Sequence, residues 1–277
     1  MSYLQLFFLL FIVIFYAAHF HIPKISSLVK KKEEKIPERV EPKITFFSKG
    51  ETKDFLIEDK DEFFSSLDAP NRVARGITNS NEYKTITVKA AYEFTKKEKD
   101  LLTRCIKTVC NKMYDLPEKV CAKYGMKQEK LWKLLQTWNL AKTKDKVLEL
   151  GMPHTRENVI FLSTYYFAVT DDNEEKITRT LAHEFYHIYQ RTYKKDYEQF
   201  LKDNDWEIVP YNKTDKRMNP DLDDYVWKRI RNDGEKVFIA KYNSLEPKSL
   251  TDINIKNPRD EHPNEYYAYL LAKEINL

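Results

Sequence analysis

The sequence predicts an α+β fold, mainly helical, with a small mixed sheet and an apolar N-terminal helix ahead of it. Three observations lead there. Long stretches carry apolar residues at helical spacing, a few short β-branched or aromatic runs are bounded by turn residues, and glycine is scarce. The 277 residues include only five Gly but 18 Tyr and 16 Phe, a composition suited to a packed core rather than to Gly-rich β architecture or disorder. Lys+Arg at 47 nearly balances Asp+Glu at 43, for a net charge of +4. Charge so evenly mixed excludes the basic footprint of a nucleic-acid binder.

The first element is the run from Leu4 to Phe20, which has no formal charge. With Tyr3 and Ile22 as flanks it reaches the ~20 residues that a bilayer span needs. A cleaved signal peptide fits less well, because no Lys or Arg precedes the run and Ala17-Ala18-His19 is a poor cleavage site. Residues 1–23 are therefore expected to be a transmembrane anchor, with His19 and His21 at its interfacial end. Lys24, Lys30, Lys31, Lys32 and Lys35 all follow it, so the C-terminal body should face the cytosol. Cys105, Cys110 and Cys121 form neither a CxxC pair nor an even set; they suit a reducing compartment and are expected in the core. The sequon Asn212-Lys213-Thr214 would suit the other side of the membrane, but one such tripeptide arises readily by chance.

Residues 24–75 begin with a Lys-, Glu- and Pro-rich stretch and are expected to be a tether and accessory segment. The main domain then covers 76–277. Ile44–Phe47 and Thr85–Val88 are strand candidates. Lys97–Met113 and Gln128–Leu140 carry helical apolar faces. Gly151-Met152-Pro153 breaks that pattern, and Val159–Ser163 suits a strand. Asp171-Asp172-Asn173 can cap a helix whose first turn holds Glu174 and Glu175 and whose apolar face is Ile177, Leu181, Phe185 and Ile188.

That helix carries His183-Glu184-Phe185-Tyr186-His187, an HExxH. Histidines at i and i+4 share a face and can converge on one ion. Glu184, rotated by about 100°, stands beside the metal and can take a proton from zinc-activated water. With six His in the chain, a chance match is on the order of 1%. A hydrolytic zinc site needs a third protein ligand, and no His occurs in 188–195. Glu265 is the leading candidate, ahead of His262 and Glu261. Pro263 suits the first turn of a helix, and Ala268 would let that helix approach the HExxH helix closely. One Zn2+ is expected, held by His183, His187 and Glu265.

On these residues the chain resembles the zincin metallopeptidases of the gluzincin type. His183, Glu184 and His187 match the first motif, and Glu265-Tyr266-Tyr267-Ala268 is similar to the ExxA form of the third ligand. Met152–Ser163, His183–Arg191 and Arg217–Asp221 also resemble uncharacterised peptidases of large DNA viruses, which would put the protein at a virion or host membrane. The resemblance spans roughly residues 150–277. It implies a zincin-like domain at 76–277, a peptide or protein substrate, and an edge strand, Val159–Ser163, bordering the cleft and pairing with that substrate. It departs at Tyr269, where the family has an Asp supporting a zinc-bound His. Candidate donors to a developing oxyanion are Tyr211, Arg217, Tyr225, His262 and Tyr269, and His154 is a possible cleft residue on a loop. The alternative to a membrane-anchored endopeptidase is a membrane-anchored structural or assembly protein of the same fold, without catalysis.

Overall fold

A computed structural model describes residues 39–231 and 234–275. The expected anchor over 1–23 and the first part of the tether lie outside the described residues. Among those described, no helix is long and apolar enough to cross a membrane.

Five strands form the principal sheet. They are β1 (Lys43–Phe46), β2 (Ala91–Tyr92), β3 (Thr137–Thr143), β4 (His154–Arg156) and β5 (Val159–Ser163). The order is β1-β3-β5-β4, with β2 on the far end of β3. β1 and β5 run parallel to β3, and β4 runs antiparallel to β5. Alternation along the strands splits the apolar side chains between two faces. Trp138, Leu140, Ile160 and Leu162 join the main core, whereas Ala141, Val159 and Phe161 pack on the other side against Leu56. A strand buried on both faces reads as an unbroken apolar run, which is why Val159–Leu162 shows no alternation. The α+β class with a small mixed sheet is therefore observed.

The helices are α1 (Lys49–Glu58), α2 (Ala69–Val73), α3 (Ser80–Ala90), α4 (Lys96–Tyr114), α5 (Glu118–Lys123), α6 (Gln128–Leu135), α7 (Thr164–Thr170), α8 (Glu174–Thr192), α9 (Lys194–Asp203) and α10 (Pro263–Glu274). α8 packs on α4 and α10. Its Phe185 ring stacks on Trp138 of β3, centroids 4.6 Å apart. Burying that ring contributes about 1.5–3 kcal/mol and seats the HExxH helix on the sheet. A second, antiparallel sheet of β6 (Trp206–Val209), β7 (Val226–Arg231) and β8 (Gly234–Phe238) leans on α10 through Trp206, whose ring meets Tyr266 and Tyr267.

Four expectations need correction. Thr85–Val88 is helical, not a strand: Asn79 caps α3 by accepting from the Asn81 and Glu82 amides at 3.0 Å each, and this local signal outweighs β-branched propensity. The helix expected over Gln128–Leu140 stops at Leu135. Trp138 and Leu140 fit a period of two as well as a helical one, and pairing with β1 and β5 on either side selects the strand. Val159–Ser163 is an interior strand, and the edge strand beside it is β4. Finally, residues from Val40 onward form one compact unit, so no boundary falls at 76. β1 lies in the sheet, Leu56 is buried in the core, and Arg75 pairs with Glu149 at 2.7 Å.

Candidate metal centre

α8 starts at the Asn173 cap and presents His183 and His187 one turn apart. Their Nε2 atoms lie 3.0 Å from each other. α10 starts at His262, with Pro263 in its first turn, and carries Glu265 on the face toward α8. The Glu265 carboxylate lies 3.3 Å from His183 Nε2 and 3.8 Å from His187 Nε2. Donor atoms of His183, His187 and Glu265 thus all lie within 4.8 Å of one another. Two imidazole nitrogens aimed at one point repel unless a cation or proton sits between them. The donor set of two nitrogens and one carboxylate oxygen suits zinc with an open position.

Electrostatics favour the same fit. Burial, acting against the charged form, and then the neighbouring His183 push His187 down to about 3, although Glu265 opposes this. Burial works against the Glu265 carboxylate, yet the hydrogen bond with His183 and the two neighbouring imidazoles hold it down to about 2. A neutral imidazole and an ionised carboxylate are the forms that donate to a metal. Gln190 Oε1 accepts from His187 Nδ1 at 2.9 Å, which leaves Nε2 free for the ion. The Gln190 amide donates to the Asn264 carbonyl at 3.2 Å, so one side chain orients a ligand and ties the two helices together. Sequence patterning does not single out Gln190 as this acceptor; its i+3 position from His187, on one helix face, is the signal that could have done so.

Glu184 is 4% exposed, and its Oε2 has no hydrogen-bond partner. Burial first, then Asp221 and Glu265, push its proton affinity well up. Asp221 is raised as well, by burial and then by Glu265. Glu184 is at the site because it lies on α8 beside His183, and Asp221 because the segment Arg217–Asp221 is held against α10 there. Asn219 Nδ2 donates to Glu265 Oε1 at 3.3 Å, and Arg217 forks onto Glu261.

The remaining candidates fall elsewhere. Glu261 is committed to Arg217. Both ring nitrogens of His262 are used, one facing Asp223 at 3.1 Å and the other accepting from the Asn264 amide at 3.1 Å. Tyr211 bonds Asp215, and Tyr225 packs against Lys194. His154 is not on a loop. It lies on β4, stacks on Phe161 and bonds the Met152 carbonyl at 3.0 Å, so its ring is buried on the sheet. Tyr269 alone of the proposed oxyanion donors meets a site residue; its ring packs edge-on against His183 with centroids 4.6 Å apart.

The sheet edge is also closed. Asp221 Oδ1 accepts from the Thr155 amide at 2.6 Å and from its hydroxyl at 2.7 Å. Arg191 reaches the Thr155 carbonyl at 3.5 Å and the Pro220 carbonyl at 2.8 Å. The outward backbone groups of Thr155 are therefore occupied, and a substrate cannot add to β4 there as a further strand.

No curated protein and no solved structure matches the chain. Residues 134–211, which run from the end of α6 through the HExxH helix to just past β6, match the family model described as "Putative zinc dependent peptidase (DUF5700)".

Proposed function

We propose that this protein is a zinc-dependent endopeptidase of zincin-like, gluzincin-type construction, held at a membrane by residues 1–23 with its catalytic unit on the cytosolic side. The observation that carries this reading is the convergence of His183, His187 and Glu265 donor atoms within 4.8 Å, beside a buried Glu184 with an unpartnered oxygen. The family match over residues 134–211 supports zinc peptidase chemistry. His183, His187 and Glu265 would hold one ion. Zinc, when bound, supplies a Lewis acid that polarises water and a substrate carbonyl. Glu184 takes the proton of the attacking water on its carboxylate as the C–O bond forms, then delivers it to the leaving amine as the C–N bond breaks. Burial, and then the neighbouring Asp221 and Glu265, raise the proton affinity of Glu184. A purely structural zinc site has no use for that carboxylate, which weighs against the non-catalytic alternative.

The test measures zinc content and cleavage of fluorescein-labelled casein on the full-length protein. Glu184→Gln is expected to keep zinc while lowering cleavage by about 10²–10⁴-fold, and Glu265→Ala is expected to lose the metal. Cleavage surviving Glu184→Gln, or full zinc content in Glu265→Ala, would defeat the proposal.

A further inference from the structure

We propose that Tyr269 is the catalytic hydrogen-bond donor that meets the reacting carbonyl oxygen, approached from the α10 side of the site rather than along the sheet edge. This rests on the peptidase reading. Two independent features of the structure lead to it.

The first is which wall of the site is open. On the β4 side, Asp221 and Arg191 occupy the outward backbone of Thr155. The segment that brings Asp221 is pinned by Arg217 on Glu261, by Asn219 on Glu265, and by the Met218 amide on Asn71 at 2.7 Å. It is a built wall. On the α10 side, the His183 side chain keeps 14% of its accessible surface, against 0% for His187 and 8% for Glu265. Tyr269 is 42% exposed beside it. A substrate carbonyl reaching the three donors therefore passes His183 and Tyr269.

The second is the state of the tyrosine itself. Its ring is fixed against His183, one helical turn beyond Glu265. Among the described residues its hydroxyl has no hydrogen-bond partner, whereas Tyr211, Arg217 and His262 are engaged with Asp215, Glu261 and Asp223 and the Tyr225 ring packs against Lys194. A phenol is a neutral donor at physiological pH. Placed one ring from a ligand, it can donate to the oxygen on which charge develops, adding to what the ion supplies.

The assignment is tested on full-length wild type and Tyr269→Phe, which keeps the ring on His183. Three quantities are read: zinc affinity, kcat and KM on labelled casein, and the binding of inorganic phosphate to the cobalt-loaded protein, followed by its visible spectrum. Phosphate serves as a tetrahedral oxyanion probe. Tyr269→Phe is expected to keep zinc affinity within about twofold, to lower kcat by about 10²–10³-fold at similar KM, and to weaken phosphate by about tenfold. Unchanged kcat and phosphate binding overturn the proposal, and so does a loss of zinc affinity that matches the loss of kcat, which would make Tyr269 a prop for His183. If zinc-loaded wild type cleaves nothing, the peptidase reading falls instead; unchanged phosphate binding in Tyr269→Phe would still overturn the donor assignment.

Discussion

Asn71→Ala offers a measurement of how far the N-terminal part of the fold controls the metal site. Asn71 is fully buried. Its Nδ2 donates to Asp68 and to the Lys216 carbonyl, both at 2.8 Å. Its Oδ1 accepts from the Met218 amide at 2.7 Å and the Tyr242 hydroxyl at 3.0 Å. Alanine leaves the Lys216 carbonyl and the Met218 amide without partners. At about 1–3 kcal/mol for each unsatisfied group, the loss is about 2–6 kcal/mol, a large part of the 5–15 kcal/mol typical of a domain. The next residue, Asn219, donates to Glu265, so loosening 216–218 should release a ligand and weaken zinc by about tenfold. Urea unfolding gives the first quantity and chelator competition the second. Leu102→Ala, a fully buried site in α4, serves as the control, losing about 2–5 kcal/mol with zinc affinity intact. If Asn71→Ala is equally destabilised but binds zinc as tightly as that control, the link from Asn71 to Glu265 does not exist.

Gln190→Leu removes the acceptor for His187 Nδ1; chelator competition should show zinc binding about 10–100-fold weaker, with the far-ultraviolet circular dichroism unchanged. The Arg75–Glu149 pair should appear in acid unfolding. Burial opposes the charged carboxylate, but Arg75 holds Glu149 below its ordinary 4.5. A carboxyl lowered on folding stabilises the native state above the unfolded value, and that contribution fades as pH falls through the folded one. Glu149→Gln should therefore cost about 3–5 kcal/mol at neutral pH by leaving Arg75 unpaired, and the gap from wild type should narrow steadily below pH ~4.5. A gap that stays constant down to the acid transition would count against the pairing.

The site was more legible in the sequence than the sheet was. Helical spacing and an Asn cap identify α8 locally, and Pro263 with Ala268 does the same for α10, so the convergence of His183, His187 and Glu265 could be anticipated from residues that act within a few turns. Which strand lies at the edge is a non-local matter. β4 has three residues, too few to show alternation, and its place follows from pairing with β5 rather than from its own composition. The same limit hid Asn219, Asp221 and Arg191, since a loop Asn-Pro-Asp reads as a turn until the Thr155 backbone is seen beneath it. Residues 43–75 are grouped with the tether because they follow the Lys-, Glu- and Pro-rich stretch without a marked boundary. Their role comes from buried polar contacts such as Asn71 and Arg75, which leave no periodic trace.

Gln190 and Asn264 join two helices that lie far apart in the chain, and this has a consequence for synthesis. His183 and His187 emerge from the ribosome well before Glu265, and the segment carrying Asn219 is made in the interval. During that interval a nascent chain can offer the two imidazoles but not Glu265, so the three-donor cluster is incomplete. Tight metal capture awaits the docking of α10. Should the peptidase reading hold, hydrolysis also awaits the docking of α10.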